Sequence, residues 1–192
     1  MRNILFLIPG SGAGSSMIFV ERQISLIEDE YVVHKLYIDA GKNLIKLIQN
    51  FLSVCRYLKS YQIDIVHSQY GSTTSLVGLL AALFFRKVYY CSFRGSDINE
   101  VFDKGLSISR LVAYICSMLS AIYAHRIQIV SEPMKKRLLF DFLTRKTEVI
   151  PSPVCDKTFV KLDKIECRKK LDLPLNKDLV AFYYNKDFLG KA

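Results

Sequence analysis

The chain has 192 residues, 51% of them hydrophobic and 23% charged, a globular composition that argues against disorder. Its 27 basic and 18 acidic residues leave a net charge of +9, which favours anionic partners: nucleic acid, phosphorylated ligands or an anionic membrane surface. The longest apolar runs, Leu76 to Phe85 and Leu111 to Ala124, fall short of the roughly 20 residues that span a bilayer.

Strand, turn and helix then alternate along the chain. Asn3 to Ile8 is a continuous apolar run stopped by Pro9-Gly10, as in a parallel strand buried on both faces. Ser15 or Ser16 can cap a helix whose apolar face is Met17, Val20, Ile24 and Ile27. Tyr31 to Ile38 is β-branched and aromatic, a second strand. Asn43 to Tyr61 has helical spacing of Leu44, Ile48, Phe51, Cys55 and Leu58. Ile63 to Ser68 is the third strand, Thr74 to Phe85 an apolar helix, and Lys87 to Phe93 the fourth strand. A helix over Leu106 to Ala124 leads to a fifth strand, Arg126 to Val130. Ser131-Glu132-Pro133 opens a helix expected to run to about Leu143: a capping hydroxyl, an acid at the positive dipole end and a first-turn proline. Thr147 to Ile150 is a sixth strand, Ile165 to Leu171 a short basic helix, and Asp178 to Tyr184 a last strand.

This alternation predicts an α/β fold: a Rossmann-like, doubly wound parallel sheet with helices on both faces. Ligands in such sheets bind beyond the carboxyl ends of the strands. The segments after the strands are PGSGAG from Pro9 to Gly14, QYGST from Gln69, RGSDIN from Arg94, Ser131-Glu132, and Pro151-Ser152-Pro153. One rim can hold most of these small, polar or glycine-rich stretches.

Gly10, Gly12 and Gly14 open a strand-to-helix turn where backbone N–H groups can approach a phosphate. The turn fits neither GxGxxG, a P-loop nor a nucleophile elbow, so a tight turn without ligand stays open. Arg94 offers a fork of donors to phosphate or sugar oxygens. Asp97 can accept from sugar hydroxyls, pair with Arg94 or cap the next helix. His67 lies near the end of the third strand, either as a packed core histidine or as a catalytic one. His34 and His125 read as structural.

Cys55, Cys91, Cys116, Cys155 and Cys167 are scattered and odd in number, without CxxC spacing, so ordinary thiols are expected rather than a disulfide or zinc framework. No metal site is expected. Two stretches are basic: Lys42, Lys46, Arg56 and Lys59 without an acid, and Lys135, Lys136, Arg137, Arg145 and Lys146 against Asp141 alone. Each can be a solvated face or a membrane-surface contact. No nucleic-acid partner is expected, since no RNP motif, helix-turn-helix signature or zinc finger is present. The single Arg and short apolar stretch before Pro9-Gly10 do not make a signal peptide, so a cytoplasmic location is expected, peripheral at the inner membrane face if those basic stretches touch lipid.

In their order, the motifs resemble the N-terminal half of family 4 glycosyltransferases of the GT-B type. The resemblance rests on ILFLIPGSGAG with Glu21, DIVHSQYG, YYCSFRGSDIN, AHRIQIVSEPMKKRL, TEVIPSPVCDKTF and CRKKLDLPLNKDLVAFYY. It implies a two-domain enzyme in which the N-domain mostly holds the acceptor and the C-domain the nucleotide sugar, with retention and no metal cofactor. It carries Gly10, Ser11, Gly12 and Gly14 to the loop facing donor phosphates and acceptor. It carries Arg94, Gly95, Ser96 and Asp97 to a segment that usually reads HGSD, so Arg94 replaces a histidine. Gln69 stands at another position usually held by histidine. Arg94 and Asp97 are the implied catalytic residues. His67, Gln69, Gly95, Ser96, Ser131 and Glu132 join the glycine-loop residues as implied substrate contacts.

The resemblance divides the chain into an acceptor-side domain, residues 1–174, and a crossover with the first strand of a nucleotide-sugar domain, residues 175–192. The expected function is the acceptor-side half of a retaining transferase in surface polysaccharide or glycolipid synthesis. Its substrates would be a nucleotide sugar and a sugar or lipid-linked acceptor; no cofactor is expected. A truncated reading frame, an excised domain and a stand-alone half fit equally. The alternative is a non-catalytic half that docks a separate donor-binding subunit.

Overall fold

The computed structural model describes residues 1–12, 17–39, 43–154 and 159–180. Contacts divide the chain into two units, Met1–Val154 and Cys155–Ala192.

The first unit is built on six strands: β1 (Arg2–Pro9), β2 (Tyr31–Ile38), β3 (Ile65–Ser68), β4 (Val88–Phe93), β5 (Arg126–Ile129) and β6 (Thr147–Val149). They form one sheet in the order β2-β1-β3-β4-β5-β6, and every pairing is parallel. This is the Rossmann-like α/β architecture expected from the alternating pattern. The strand order reverses between β1 and β3, so the loops after those two strands diverge and leave a crevice.

The pleat of β1 sorts its side chains. Leu5 and Leu7 face a core shared with Val66, Tyr89, Cys91, Phe93, Ile127 and Ile129. That face is covered by a helical layer of α2 (Leu44–Ser60), α3 (Ser72–Phe84) and α5 (Ile108–Tyr123), with α3 touching both others. Ile4, Phe6 and Ile8 face the other side, against Val20 and Ile24 of α1 (Ile18–Ser25). Burial on both faces explains why β1 reads as a continuous apolar run.

The caps follow the chemistry of their residues. Asn43 accepts the N–H of Ile45 at 3.1 Å, and Ser107 accepts that of Arg110 at 3.3 Å, fixing the starts of α2 and α5. At the far end of α5, Lys146 Nζ donates to the carbonyls of Ile122 and Ala124, both at 2.7 Å, and so satisfies two orphan acceptors. The expected caps Ser15 and Ser16 lie outside the described residues.

Three elements differ from expectation. The stretch after β4 is not a loop: Gly95, at φ 130°, turns the chain directly into α4 (Ser96–Asp103), with Asp97 in its first turn. The helix expected from Ser131 to Leu143 is broken into a 3-10 segment, Glu132–Arg137, and α6 (Asp141–Thr144). Leu138 and Phe140 between them are extended, and Tyr114 Oη donates to the carbonyl of Arg137 at 2.8 Å, a tertiary bond that replaces a helical one. The basic stretch from Lys135 to Lys146 is also not one charged face. Lys135 pairs with Glu132, Arg137 with Asp103, and Lys146 caps α5.

The second unit contains α7 (Lys164–Lys170), capped by Asp163, whose Oδ1 accepts from the N–H groups of Ile165 and Glu166, both at 2.9 Å. Arg168 Nη1 closes the following turn on the carbonyls of Pro174 and Leu175 at 2.9 and 2.7 Å. Residues 178–180 are not in a strand. The rest of the strand expected to Tyr184, and Cys155, lie outside the described residues.

Candidate functional site at the carboxyl ends of β3, β4 and β5

Buried polar side chains on the central strands mark the site. His67 on β3, Ser92 on β4 and Gln128 on β5 are all buried. Ser92 sits opposite Gln128 in the register, and β3 lies beside β4. Gln69 and Arg94 follow β3 and β4, and Gln23 comes from α1.

These six side chains form a closed ring. Arg94 Nη2 donates to Gln23 Oε1 at 2.6 Å and also to Gln69 Oε1. Gln23 Nε2 donates to Gln128 Oε1 at 2.9 Å, and Ser92 Oγ donates to the same oxygen at 3.0 Å. His67 Nε2 lies 2.8 Å from Ser92 Oγ, and Gln69 Nε2 lies 3.3 Å from His67 Nε2. His67 Nε2 is shared between two neighbours: as an N–H it donates to Ser92 Oγ, whose own proton goes to Gln128, and as a bare nitrogen it accepts from Gln69 Nε2. In either tautomer the histidine is neutral. Burial, reinforced by the Arg94 charge, holds its pKa down at about 3.

Arg94 is the only charge in this ring. Burial lowers its pKa to about 10, against the opposing pull of Asp97, so it stays cationic at neutral pH. The guanidinium lies 4.6 Å from the centre of the Phe19 ring. Its Nε and Nη1 are out of contact with solvent and have no hydrogen-bond partner among the described residues. Buried donors in this state are rare and costly. Beside the ring, a cavity of about 380 Å³ runs along the α1 face of the sheet, with Gln23, His67 and Gln128 in its wall together with Ile27, Tyr90 and Ile150.

Asp97 has a different place. Its carboxylate is buried and accepts three backbone N–H groups: Arg94 at 3.0 Å, Gly95 at 2.8 Å and Gly71 at 2.8 Å. Burial raises its pKa, partly offset by these bonds. The side chain therefore ties the loop after β3 to the loop after β4. A Cβ at Gly71 would run into Ser117 Oγ and the Asp97 side chain, so only glycine lets the two loops approach this closely.

The glycine turn after β1 leans toward β2. Gly10 N donates to the carbonyl of Ile38 at 2.9 Å. Gly12, at φ 78°, sits under the ring of Tyr37, which a Cβ would approach to 3.1 Å. Tyr37 Oη donates to Glu21 at 2.9 Å, and Lys35 pairs with the same carboxylate at 2.5 Å. Ser11 is exposed, and Gly14 lies outside the described residues. Ser96 hydrogen-bonds Tyr70 Oη, and Glu132 is exposed and pairs with Lys135 at 3.0 Å. Ser131 makes no side-chain cap bond, and its carbonyl accepts from Met134 N at 3.2 Å.

Thus His67, Gln69 and Arg94 come together, Gly95 and Asp97 form the clamp beneath them, and Ser131 and Glu132 take no part in the ring. Gln23, Ser92 and Gln128 are members that the motifs did not single out. Their signal was a lone polar residue inside an apolar strand or helix face. Among the described residues no cluster of His, Cys, Asp or Glu could hold a metal ion, and no helix is long and apolar enough to cross a membrane.

The sequence matches no family model and no curated protein. Solved structures do match its fold. A UDP-N-acetylglucosamine 2-epimerase from Rickettsia bellii superposes with a TM-score of 0.62 at 17% identity, over 91% of this chain and 52% of that one. An S. aureus MnaA–UDP co-structure gives 0.60 at 11% identity, over 88% and 50%. Anabaena HepE in complex with UDP and glucose gives 0.60 at 13%, over 89% and 50%. The chain therefore spans about half the length of these neighbours, and what is shared is a Rossmann-like half of a GT-B-like fold.

Proposed function

We propose that this chain is the acceptor-side half of a retaining glycosyltransferase that uses a nucleotide sugar, related to family 4 of the GT-B type, and that its rim binds phosphate or sugar oxygens through Arg94. The observation that carries the reading is the state of that side chain: a half-buried cation with two solvent-shielded N–H groups that have no partner among the described residues, within a ring of neutral polar side chains that follow or line the carboxyl ends of a parallel sheet. The order of the motifs supports the family. The fold neighbours include complexes with UDP, UDP-GlcNAc and glucose, in keeping with nucleotide-sugar chemistry.

In the proposed reaction an acceptor hydroxyl oxygen bonds to the anomeric carbon as the bond from that carbon to the diphosphate oxygen breaks. The diphosphate leaves with the electron pair and takes up the hydroxyl proton. Arg94 offers charge and a planar fork of donors to the oxygens gathered at the rim. The neutral ring around it donates and accepts at fixed positions, which suits sugar hydroxyls. The partner half, carried on the same polypeptide or on a separate chain, would hold the nucleotide. The proposed boundary between the halves is near residue 174.

Epimerisation, the activity after which several fold neighbours are named, inverts a C–H centre and needs a group that takes and returns a proton. The described rim residues are poorly suited to that task. Asp97 is occupied by three N–H groups, His67 is buried, neutral and held by Ser92 and Gln69, and Glu132 is exposed beside Lys135. Transfer assisted by charge is the better fit.

The test is calorimetric titration of UDP-glucose, UDP-GlcNAc and glucose 1-phosphate into the wild-type chain and Arg94→Met. Loss of charged hydrogen bonds should weaken binding of at least one of them by about tenfold or more. Equal affinities in the two proteins, or no binding of any of the three, would overturn the reading.

A further inference from the structure

The helical layer over the Leu5 and Leu7 face is apolar on its outside as well as its inside. On α5, Ile108, Leu111, Val112, Ile115, Leu119 and Tyr123 are all exposed, and their spacing puts them on one outward stripe. On α3, Leu80, Leu83 and Phe84 are exposed, and Phe84 is 73% so. On α2 the outward stripe reads Ile45, Ile48, Leu52, Arg56 and Lys59: apolar in its first turns and basic in its last. Between α2 and α3 lies an apolar cavity of about 320 Å³ floored by Phe51 and Val77. A helix on a water-facing surface normally turns polar residues outward, and contiguous apolar patches of this kind mark interaction sites.

The charges on this layer are of one sign. The segments that form α2, α3 and α5 contain Lys46, Arg56, Lys59 and Arg110 and not one Asp or Glu. Arg86 and Lys87 follow the C-cap of α3, Phe85. Lys46 is compensated by Asp39 at 2.7 Å from outside the layer, and Arg110 is turned onto the carbonyls of Lys104 and Gly105. Arg56, Lys59 and Arg86 make no ion pair among the described residues.

We propose that the outer face of α2, α3 and α5 docks on the anionic surface of a lipid bilayer. The face needs an occupant that is apolar where it meets the stripes and negative where it meets the bases. A lipid interface supplies both: the acyl boundary takes Ile, Leu and Phe side chains, and headgroup phosphates take Arg and Lys. A second copy of the chain does not fit, because isologous pairing would set acid-free basic ends against each other or leave them unmet. No helix in the layer is long and apolar enough to cross, so the contact is interfacial. Tyr123, at one end of the α5 stripe, has the amphipathic ring favoured at such boundaries. The proposal stands apart from the sugar chemistry and would survive its failure.

The experiment is flotation of the purified chain with vesicles of phosphatidylglycerol and phosphatidylcholine in equal parts, and with phosphatidylcholine alone. The wild type should float with the anionic vesicles at low salt, and the bound fraction should fall about tenfold as salt is raised toward molar. Ile115→Glu with Leu119→Glu, and separately Arg56→Glu with Lys59→Glu, should each abolish flotation. All four side chains are at least partly exposed, so circular dichroism and the melting temperature should be unchanged. Sedimentation equilibrium supplies the competing outcome. A wild-type dimer that the α5 variant converts to monomer, without flotation, would assign the face to a second copy and overturn the proposal. Absence of flotation at low salt, or equal flotation of wild type and variants, would overturn it as well.

Discussion

The carboxylate of Asp97 accepts the backbone N–H of Gly71 at 2.8 Å, so the loop after β3 is fastened to the first turn of the helix after β4. The same carboxylate holds the N–H groups of Arg94 and Gly95. Ser117 of α5 extends the link, accepting from Ser72 N at 2.8 Å and sharing its one proton between the carbonyls of Ala113 at 2.9 Å and Asp97 at 3.1 Å. Arg94 is therefore positioned by its own backbone, and the aspartate acts on the site through that backbone.

Asp97→Ala should strand three backbone donors in a buried place. Each unmet donor costs on the order of 1–3 kcal/mol, partly relieved by entering water, so a total loss of about 3 kcal/mol is expected. The midpoint of urea unfolding should fall accordingly with an unchanged slope. A midpoint within experimental error of wild type would mean that the clamp contributes nothing.

His67 gives stability a pH dependence of known sign. Its folded pKa is held at about 3, below the ordinary 6.5, by burial and by Arg94. Between those values the unfolded chain binds the proton and the folded chain does not. The stability conferred by the neutral ring is therefore complete above pH 6.5 and is lost as the pH falls toward 3, by at most about 1.4 kcal/mol per pH unit. His67→Asn should flatten that part of the stability profile relative to wild type. Parallel profiles for the two proteins between pH 6.5 and pH 4 would show that His67 titrates normally in the fold.

Gly12 joins two constraints, a left-handed φ of 78° and the face of the Tyr37 ring. Gly12→Ala strains the first and crowds the second, so a loss of about 1–2 kcal/mol is expected. Combining it with Tyr37→Ala should recover only the steric part. Full recovery in the double variant would show that the backbone conformation is not the constraint.

The layers of the fold were legible because burial on two faces leaves a continuous apolar run, as in β1, and because Pro9-Gly10 and Pro151 punctuate it. The helix from Ser96 was not legible. Its start depends on the φ of Gly95 and on Asp97 reaching the Gly71 loop, neither of which has a local pattern. The helix expected through Leu138 failed for a related reason, since Tyr114 takes the Arg137 carbonyl from 23 residues away. In the site, Gln69 and Arg94 stood out as rim residues. Gln23 and Gln128 did not, because 105 residues separate them and only the sheet order brings them to 2.9 Å.

The most direct test of the central claim follows the Arg94 Nε–H in a ¹⁵N-resolved NMR spectrum during titration with UDP-glucose. Arg94→Met identifies the signal by its absence. Burial away from water should keep this proton slow to exchange and visible in the free protein. A ligand that satisfies it should move the resonance saturably, with the same midpoint as the calorimetric titration. A signal that stays in place at saturating UDP-glucose, while other parts of the chain respond, would contradict the assignment of Arg94 as the group that meets the ligand.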